Sequence, residues 1–172
     1  MKYQSYVNTC SYGKCLVAAN NISSNCVVEK IEGYTINREE IPQEEIYHAI
    51  LIARDKWMVI QTNARYINHS CSPNCYINDD LEVITKVDVK KGEELTIAYN
   101  IVRTGEDPGQ WDERWSFRCL CGSRNCQGII DKYITEDGLP YNPNLNQSFE
   151  KVQITTSENS VKSAFNTTLE VE

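Results

Sequence analysis

The sequence lacks long hydrophobic runs and internal repeats. Its longest apolar stretches, residues 16–19 and 49–53, are far shorter than the roughly 20 residues of a membrane-spanning helix. Residues 1–10 also lack the apolar segment of a secretion signal. We therefore expect an intracellular protein, nuclear or cytoplasmic, that has no membrane partner.

Positive charge is also scarce, because 17 lysine and arginine residues face 24 acidic ones, for a net charge of −7. Proteins that bind nucleic acid usually carry basic surfaces. We therefore expect no specific nucleic-acid binding and a basic protein or peptide as partner. Residues 131–172 hold seven of the acidic residues and three lysines, so the net charge says little about any one site.

Hydrophobic periodicity favours short strands over long helices. The strand-like segments, rich in β-branched and aromatic residues and separated by turn-forming residues, are 26–31, 57–60, 81–84 and 95–99. A helix start is predicted at 42–47 and a helical turn within 111–117, whereas 100–110 is predicted as a loop. The 172 residues suffice for one domain, and the pattern predicts a mainly β fold with a few short helices.

Three of the eight cysteines follow a C-x-C-x4-C pattern, which comprises Cys119, Cys121 and Cys126. This spacing brings three thiolates within reach of one ion, and tetrahedral zinc requires a fourth ligand, for which Cys71 or Cys75 is the natural donor. A site closed by four thiolates leaves no position for water, so such a zinc would be structural. Three reduced, separately packed cysteines are the alternative.

A second group of polar residues surrounds Pro73 in the segment 64–75. Taken alone, it fits either a polar turn network or a nucleophilic pair of His69 and Cys71. A cysteine that binds zinc is not a free nucleophile, which argues against the pair.

These segments resemble the motifs of SET-domain protein lysine methyltransferases. Residues 65–74, Arg-Tyr-Ile-Asn-His-Ser-Cys-Ser-Pro-Asn, resemble R-F-x-N-H-S-C-x-P-N, and residues 92–99, Gly-Glu-Glu-Leu-Thr-Ile-Ala-Tyr, resemble G-E-E-L-T-Y-D-Y. The cysteine triplet resembles the post-SET zinc motif. Residues 12–18 resemble the opening G-x-G-L-x-A more weakly, because Cys15 replaces the second glycine. The resemblance covers about residues 12–130.

The resemblance implies a SET-domain β-clip of several small sheets, in which the segment of Asn68 and His69 and the strand 94–99 cross in a knot-like arrangement. It implies a SET domain at 1–114 and a post-SET zinc motif at 115–131. Outside the resemblance, the composition from about residue 132 shifts to Asn, Ser, Thr and Glu, which predicts a partly disordered C-terminal tail at 132–172. Within the tail we expect 133–145 to pack partly and 157–172 to be mobile.

S-adenosylmethionine is the cofactor that the resemblance implies, entering from one face while the substrate lysine enters through a channel from the other. By motif position, Lys14 and Cys15 would contact the cofactor through their backbone, and Asn68 and His69 would hydrogen-bond it. Leu120, between two zinc cysteines, resembles the residue that packs over the cofactor.

For the metal, the resemblance favours Cys71 as the fourth ligand of one structural zinc ion, with Cys75 as competitor. For the lysine channel, it implies Tyr99 as the catalytic residue and Ile97 as a wall residue. A second active-site tyrosine precedes Arg65 in the family, and both Tyr47 and His48 stand near that place.

Methyl transfer requires a neutral amine, whereas only about one lysine in 2,500 is neutral at pH 7. A desolvated channel beside the cofactor's sulfonium lowers the lysine pKa, so no carboxylate base is required. Tyr99 would orient the amine through its hydroxyl.

Two positions depart from the family pattern. Ile97 replaces the usual tyrosine or phenylalanine and widens the lysine pocket, which predicts di- or trimethylation; Ala98 replaces the usual aspartate. Trp111, Trp115 and Phe117 either line the channel, where Trp115 is our candidate, or form the core of a small post-SET lobe.

The sequence thus predicts a protein lysine methyltransferase whose substrate is a histone tail or another basic protein. The alternative is a catalytically inactive SET-like module that binds a basic peptide. A zinc-stapled interaction protein unrelated to the family is a third possibility, which would require all three motifs to be coincidental.

Overall fold

The computed structural model describes residues 4–53, 56–102 and 108–141, and the structural statements below concern these residues. Within them the chain forms fourteen short strands and four 3₁₀ helices. The strands are β1 (Ser5–Cys10), β2 (Gly13–Ala18), β3 (Val27–Lys30), β4 (Gly33–Ile36), β5 (Ala49–Ala53), β6 (Lys56–Ile60), β7 (Asn68–His69), β8 (Cys75–Ile77), β9 (Glu82–Thr85), β10 (Thr96–Ile97), β11 (Ile101–Val102), β12 (Phe117–Arg118), β13 (Ile129–Ile130) and β14 (Ile134–Thr135). The 3₁₀ helices are Arg38–Glu40, Gln43–His48, Asn63–Tyr66 and Glu113–Trp115.

The strands assemble into several small sheets. Two sheets have three strands, in the orders β3-β9-β8 and β4-β6-β5, and four have two strands, β1-β2, β7-β10, β11-β14 and β12-β13. This arrangement confirms the mainly β fold of small sheets with a few short helices. Among the same residues, no helix combines the length and the apolar composition needed to cross a membrane.

The crossing of two distant segments is formed by β7 and β10, which pair in parallel with Asn68 opposite Thr96 and His69 opposite Ile97. The backbone N–H of Ser70 continues the contact by donating to the carbonyl of Ile97 at 2.9 Å. A parallel pair needs a long connection between its strands. Here that connection contains β8 and β9.

Two apolar clusters form the core. The larger contains residues from β2, β3, β9 and the segment before β10, among them Leu16, Val28, Val83 and Leu95, each with 0% of its surface exposed. The smaller one surrounds Trp57 and Trp115, whose rings stack with centroids 4.7 Å apart. This stack joins the segment that precedes the cysteine triplet to the three-stranded sheet of β6.

Most predicted strands are present, as β3, β6 and β9. The strand predicted at 95–99 is shorter, since β10 covers only Thr96–Ile97. The strand ends early because the backbone N–H of Tyr99 donates to Nδ1 of His69 at 3.1 Å instead of to a neighbouring strand, and His69 lies 30 residues earlier in the sequence.

The loop predicted at 100–110 is interrupted by β11, which pairs in parallel with β14. Tyr133 also packs edge-on against Trp111, with ring centroids 4.9 Å apart. Residues 133–135 therefore contact the rest of the chain, whereas residues 136–140 are exposed. The remainder of the predicted tail, residues 142–172, lies outside the described residues, as do residues 103–107 of the predicted loop.

Candidate functional site

Four cysteines converge between β7 and the segment that follows β12. The sulfur atoms of Cys71, Cys119, Cys121 and Cys126 all lie within 4.8 Å of one another, and those of Cys71 and Cys119 are 3.7 Å apart. Zinc–sulfur bonds of about 2.3 Å in a tetrahedron place sulfurs about 3.8 Å apart. The four donors therefore match the requirements of a closed, structural zinc site.

A tight turn after Cys121 helps to bring the cysteines of the triplet together. Gly122 has a φ of 67°, in the left-handed region that favours glycine. Burial opposes ionisation of Cys121, but the backbone N–H of Cys71 and the hydroxyl of Ser123 lower the pKa of Cys121 to about 6. At neutral pH this thiol is therefore largely ionised, the form that binds metal.

Cys75, the competing ligand in the sequence analysis, lies elsewhere. It is 1% exposed, packs in the larger apolar cluster, and burial raises its pKa to about 12. The structure thus brings Cys71 to the triplet and places Cys75 in the core.

His69 links the cysteine cluster to the backbone of Tyr99, just after β10. Burial lowers the pKa of His69 to about 4, so its ring is neutral at physiological pH. Its Nδ1 accepts a hydrogen bond from the backbone N–H of Tyr99, which leaves the proton on Nε2, 3.3 Å from the sulfur of Cys71. Both ring nitrogens therefore have partners within the protein, and His69 offers a cofactor only its main chain.

Tyr99 is partly buried at the crossing of the two segments. Its hydroxyl donates to the carbonyl oxygen of Ile67 at 2.6 Å. Burial, followed by the nearby charge of Glu94, raises the pKa of Tyr99 well above its usual range. The phenol is therefore neutral at physiological pH, a hydrogen-bonding group and not a base.

A cavity of about 630 Å³ opens beside Tyr99. All three residues assigned to the lysine channel line it, namely Tyr47, Ile97 and Trp115, together with Tyr99 itself. The structure thus brings the candidate catalytic and channel residues to one cavity.

Tyr47 and His48, the two candidates for the second active-site residue, have different surroundings. Tyr47 lines the cavity and donates from its hydroxyl to the carbonyl of Ser116 at 3.3 Å. His48 instead places Nδ1 2.9 Å from the carbonyl oxygen of Arg65 and its ring edge-on to Tyr66. Tyr47 is therefore the residue that could meet a substrate side chain.

The aromatic residues before the cysteines lie at the cavity and in the smaller apolar cluster, which they share with residues of the β4-β6-β5 sheet. Trp115 belongs to the smaller apolar cluster, is 9% exposed and donates from Nε1 to the carbonyl of Ile46 at 2.6 Å, yet it also lines the cavity. Phe117 packs edge-on against Tyr47, His69 and Tyr99 at centroid distances of 5.5–6.0 Å. Phe117 is therefore central to the site, although we did not select it from the sequence.

The residues assigned to the cofactor lie around β2 and β7. The side-chain amide of Asn68 donates to the carbonyl oxygen of Lys14 at 3.1 Å and to Oε1 of Glu94 at 2.8 Å. The side chain of Cys15 is buried, with 3% exposed. Leu120 is 66% exposed, an apolar surface next to two of the zinc-type cysteines.

Glu94 is a residue to which the sequence analysis gave no role. It accepts hydrogen bonds from Asn68 and from the Tyr12 hydroxyl, so it connects the segment before β10 to the β1–β2 turn. In the sequence, the only indication of a role for Glu94 is its position in the motif at residues 92–99, and that motif does not distinguish Glu93 from Glu94.

The comparisons with known proteins agree with this geometry. Residues 13–100, about half of the chain, match the family model described as SET domain. The chain is 30% identical over 145 residues to the H3 lysine-36 specific histone-lysine N-methyltransferase of Gibberella zeae, an alignment that covers 73% of this chain and 15% of that protein. It is 30% identical over 135 residues to the H3 lysine-4 specific histone-lysine N-methyltransferase of Aspergillus oryzae, covering 67% of this chain and 10% of that protein.

A solved structure from Plasmodium falciparum aligns with a TM-score of 0.48 and 19% identity, covering 58% of this chain and 95% of that chain. The chain spans only 10% to 15% of the length of the two fungal relatives.

Proposed function

The chain belongs to the SET domain family, and from that premise we propose that it is a lysine methyltransferase that takes methyl groups from S-adenosylmethionine. The single observation that carries the proposal is the partly buried Tyr99 hydroxyl, which is held by the Ile67 carbonyl in the lining of an aromatic-lined cavity. The substrate is the lysine side chain of a histone tail or another basic protein.

The residues around β2 and β7 suit the cofactor. Asn68 and the backbone of Lys14 and Cys15 would hold its polar amino acid portion, and the exposed Leu120 gives it an apolar surface to pack on. When bound, S-adenosylmethionine supplies a methyl group on a positively charged sulfur.

Residues of the cavity prepare the lysine for reaction. The apolar surfaces of Ile97, Trp115 and Phe117 remove water from the substrate side chain, and desolvation lowers the pKa of an amine. The proton therefore leaves to solvent before the transfer. The neutral Tyr99 phenol then orients the amine and stabilises the charge that develops on it.

Transfer of labelled methyl from S-adenosylmethionine to core histones and to a nuclear extract tests the proposal. We expect label on a basic protein with the wild type and about a hundredfold less with Tyr99→Phe. Tyr6→Phe is the matched control, because Tyr6 is 43% exposed on β1, and it should transfer methyl at the wild-type rate.

The proposal of methyltransferase activity would be contradicted if folded wild-type protein with a full metal complement labelled no protein. A shift in melting temperature on adding S-adenosylmethionine, combined with binding of a basic peptide, would then favour the inactive SET-like module. Equal activity of Tyr99→Phe and wild type would remove Tyr99 from its role.

Di- or trimethylation is the expected extent of the reaction. Ile97 is 5% exposed and lines the cavity where the family usually carries an aromatic ring. The shorter side chain leaves room for a methylated amine to turn and react again. Mass spectrometry of the product peptide over time checks this, and a product that stops at monomethyl-lysine in excess cofactor would contradict it.

One structural zinc ion, held by Cys71, Cys119, Cys121 and Cys126, completes the proposal. Because His69 joins Cys71 to the backbone of Tyr99, the ion would also fix the segment after β10 that carries the catalytic residue. We expect Cys126→Ser to lose this zinc and most of the activity in elemental analysis and methyl-transfer assays.

Cys75→Ser is the control for the fourth ligand, and it should retain zinc. A full zinc complement in Cys71→Ser, but not in Cys75→Ser, would reverse the assignment.

A histone substrate, as in the names of the fungal relatives, implies that the protein acts in the nucleus. Microscopy of the tagged chain in cells checks this localisation.

A further inference from the structure

A second cluster of metal-binding side chains lies at the β1–β2 hairpin. The ligand atoms of Cys10, Cys15 and Glu94 all lie within 4.8 Å of one another. The cluster shares no residue with the four-cysteine cluster. The family motifs give its side chains no role as metal ligands, and the motif at residues 12–18 involves Cys15 only through its backbone.

The fold brings these residues together through two pairings. In the hairpin, Cys10 stands opposite Gly13 and Cys15 opposite Asn8, so the two cysteines lie diagonally across neighbouring strands. An isolated bridge between Val17 and Glu94 then brings the glutamate beside β2. Residues 82 positions apart in sequence are thus held close, as the hydrogen bond between Tyr12 and Glu94 shows.

Hydrogen bonds from neighbouring side chains fix the orientation of the Glu94 carboxylate. The amide of Asn68 donates to Oε1 at 2.8 Å, and the Tyr12 hydroxyl donates to Oε2. A carboxylate has about four lone-pair positions, so each oxygen keeps capacity to bind a cation. Such outer partners fix the direction of ligand groups in metal sites.

We propose that Cys10, Cys15 and Glu94 form a second metal site, which takes a thiophilic divalent cation of the zinc type. Two thiolates and one carboxylate favour zinc over magnesium or calcium, which prefer oxygen donors. Three protein ligands leave the fourth tetrahedral position open to water or another small ligand. This pattern differs from the closed four-thiolate cluster.

Binding requires only loss of protons. The thiols of Cys10 and Cys15 each release a proton to solvent and bond to the cation as thiolates, and no oxidation occurs. Cys10 is partly exposed, so the ion has access. On binding, its sulfur gives up its hydrogen bond to the Gly13 carbonyl at 3.4 Å and its hydrogen-bonding contacts with Tyr12 and Cys15.

Equilibrium dialysis of the full chain against buffered zinc, with all thiols kept reduced, tests the site by elemental analysis. We expect two zinc ions per wild-type chain and one per Cys10→Ser chain. Cys26→Ser is the matched control, since Cys26 is a partly exposed cysteine outside both clusters, and it should bind two. Cys126→Ser should lose the other ion and keep this one.

Titration with cobalt in place of zinc locates the second ion. The thiolate-to-cobalt charge-transfer absorption that the second equivalent of cobalt produces in the wild type should be absent in Cys10→Ser. If that variant does not fold, Glu94→Gln should show the same loss of one ion. One ion in the wild type, or two in both of these variants, would overturn the site. The count is independent of methyl transfer, so its failure is distinct from failure of the proposed function.

Discussion

Buried ionisable side chains give single residues of this chain a strong influence on its stability. Glu29 lies in β3 and is 1% exposed. The Ser5 hydroxyl donates to its Oε2 at 2.9 Å, and the backbone N–H of Lys30 donates to its Oε1 at 3.2 Å. Burial raises the pKa of Glu29, and these two hydrogen bonds offset that effect only in part.

Glu29→Gln should therefore change the pH dependence of unfolding. A carboxyl whose pKa is higher in the folded state stabilises the fold below its unfolded pKa of about 4.3, and that contribution is lost as pH rises through the folded value. The amide cannot ionise and avoids this loss. We expect a higher melting temperature for the variant than for wild type at pH 7 to 8, and convergence of the two near pH 4.

Glu44→Gln serves as the control, because Glu44 is exposed in the 3₁₀ helix Gln43–His48. Its melting temperature should follow wild type across the same pH range. A wild type more stable than Glu29→Gln at pH 8 would show that the two hydrogen bonds outweigh burial of the charge.

At the scale of elements, the parallel pair β7–β10 depends on one side chain. Asn74 donates from Nδ2 to the carbonyl of Glu94 at 2.8 Å, and its Oδ1 accepts the backbone N–H of Thr96 at 2.9 Å. The amide thus takes the place of a neighbouring strand for two backbone groups. Strands of two residues form few hydrogen bonds with each other, so the hydrogen bonds from Asn74 contribute strongly to the stability of the β7–β10 pair.

Asn74→Ala should destabilise the chain by about 2–4 kcal/mol, because it leaves two backbone groups without partners in a partly buried setting. Urea unfolding followed by circular dichroism measures the change. Asn37→Ala removes an exposed amide that donates to Glu40, and it should change stability by less than about 0.5 kcal/mol. Equal losses in both variants would refute the role of Asn74.

Element types were predictable where the signal is local. The β-branched runs predicted β3, β6 and β9, and the proline before Gln43–His48 predicted that short helix. The end of β10 depends on His69, 30 residues before Tyr99, and β11 exists only because β14 pairs with it. Such contacts between distant segments leave no periodicity in the sequence of either segment.

The same distinction applies to the candidate site. Motifs supplied Asn68, Tyr99 and the cysteines, since their spacing is a property of the sequence. Phe117 was ambiguous, because a channel wall and a small core use the same aromatic residues. Its position between Tyr47 and Tyr99 follows from the packing of distant segments.

At the scale of the whole molecule, an aromatic stack and the polar contacts around it attach the segment before the cysteines to the body. Trp115 stacks on Trp57 of β6, and its indole N–H donates to the carbonyl of Ile46 at 2.6 Å. Arg38 also lies over the Trp115 ring, 5.4 Å from its centroid. The smaller apolar cluster therefore connects the four-cysteine cluster, the β4-β6-β5 sheet and the cavity wall.

Trp115→Ala should consequently reduce the free energy of unfolding by about 3–5 kcal/mol, the range for a large buried aromatic residue. Trp115→Phe keeps a ring against Trp57 but leaves the Ile46 carbonyl without its donor, so it should cost about 1–3 kcal/mol. Trp111→Ala is the matched control. Trp111 is only partly buried at the edge of the same cluster, and its loss should cost less than that of Trp115. Urea unfolding measured by circular dichroism compares the three variants, and a larger loss for Trp111→Ala than for Trp115→Ala would mean that the connection runs through Trp111 and Tyr133 instead.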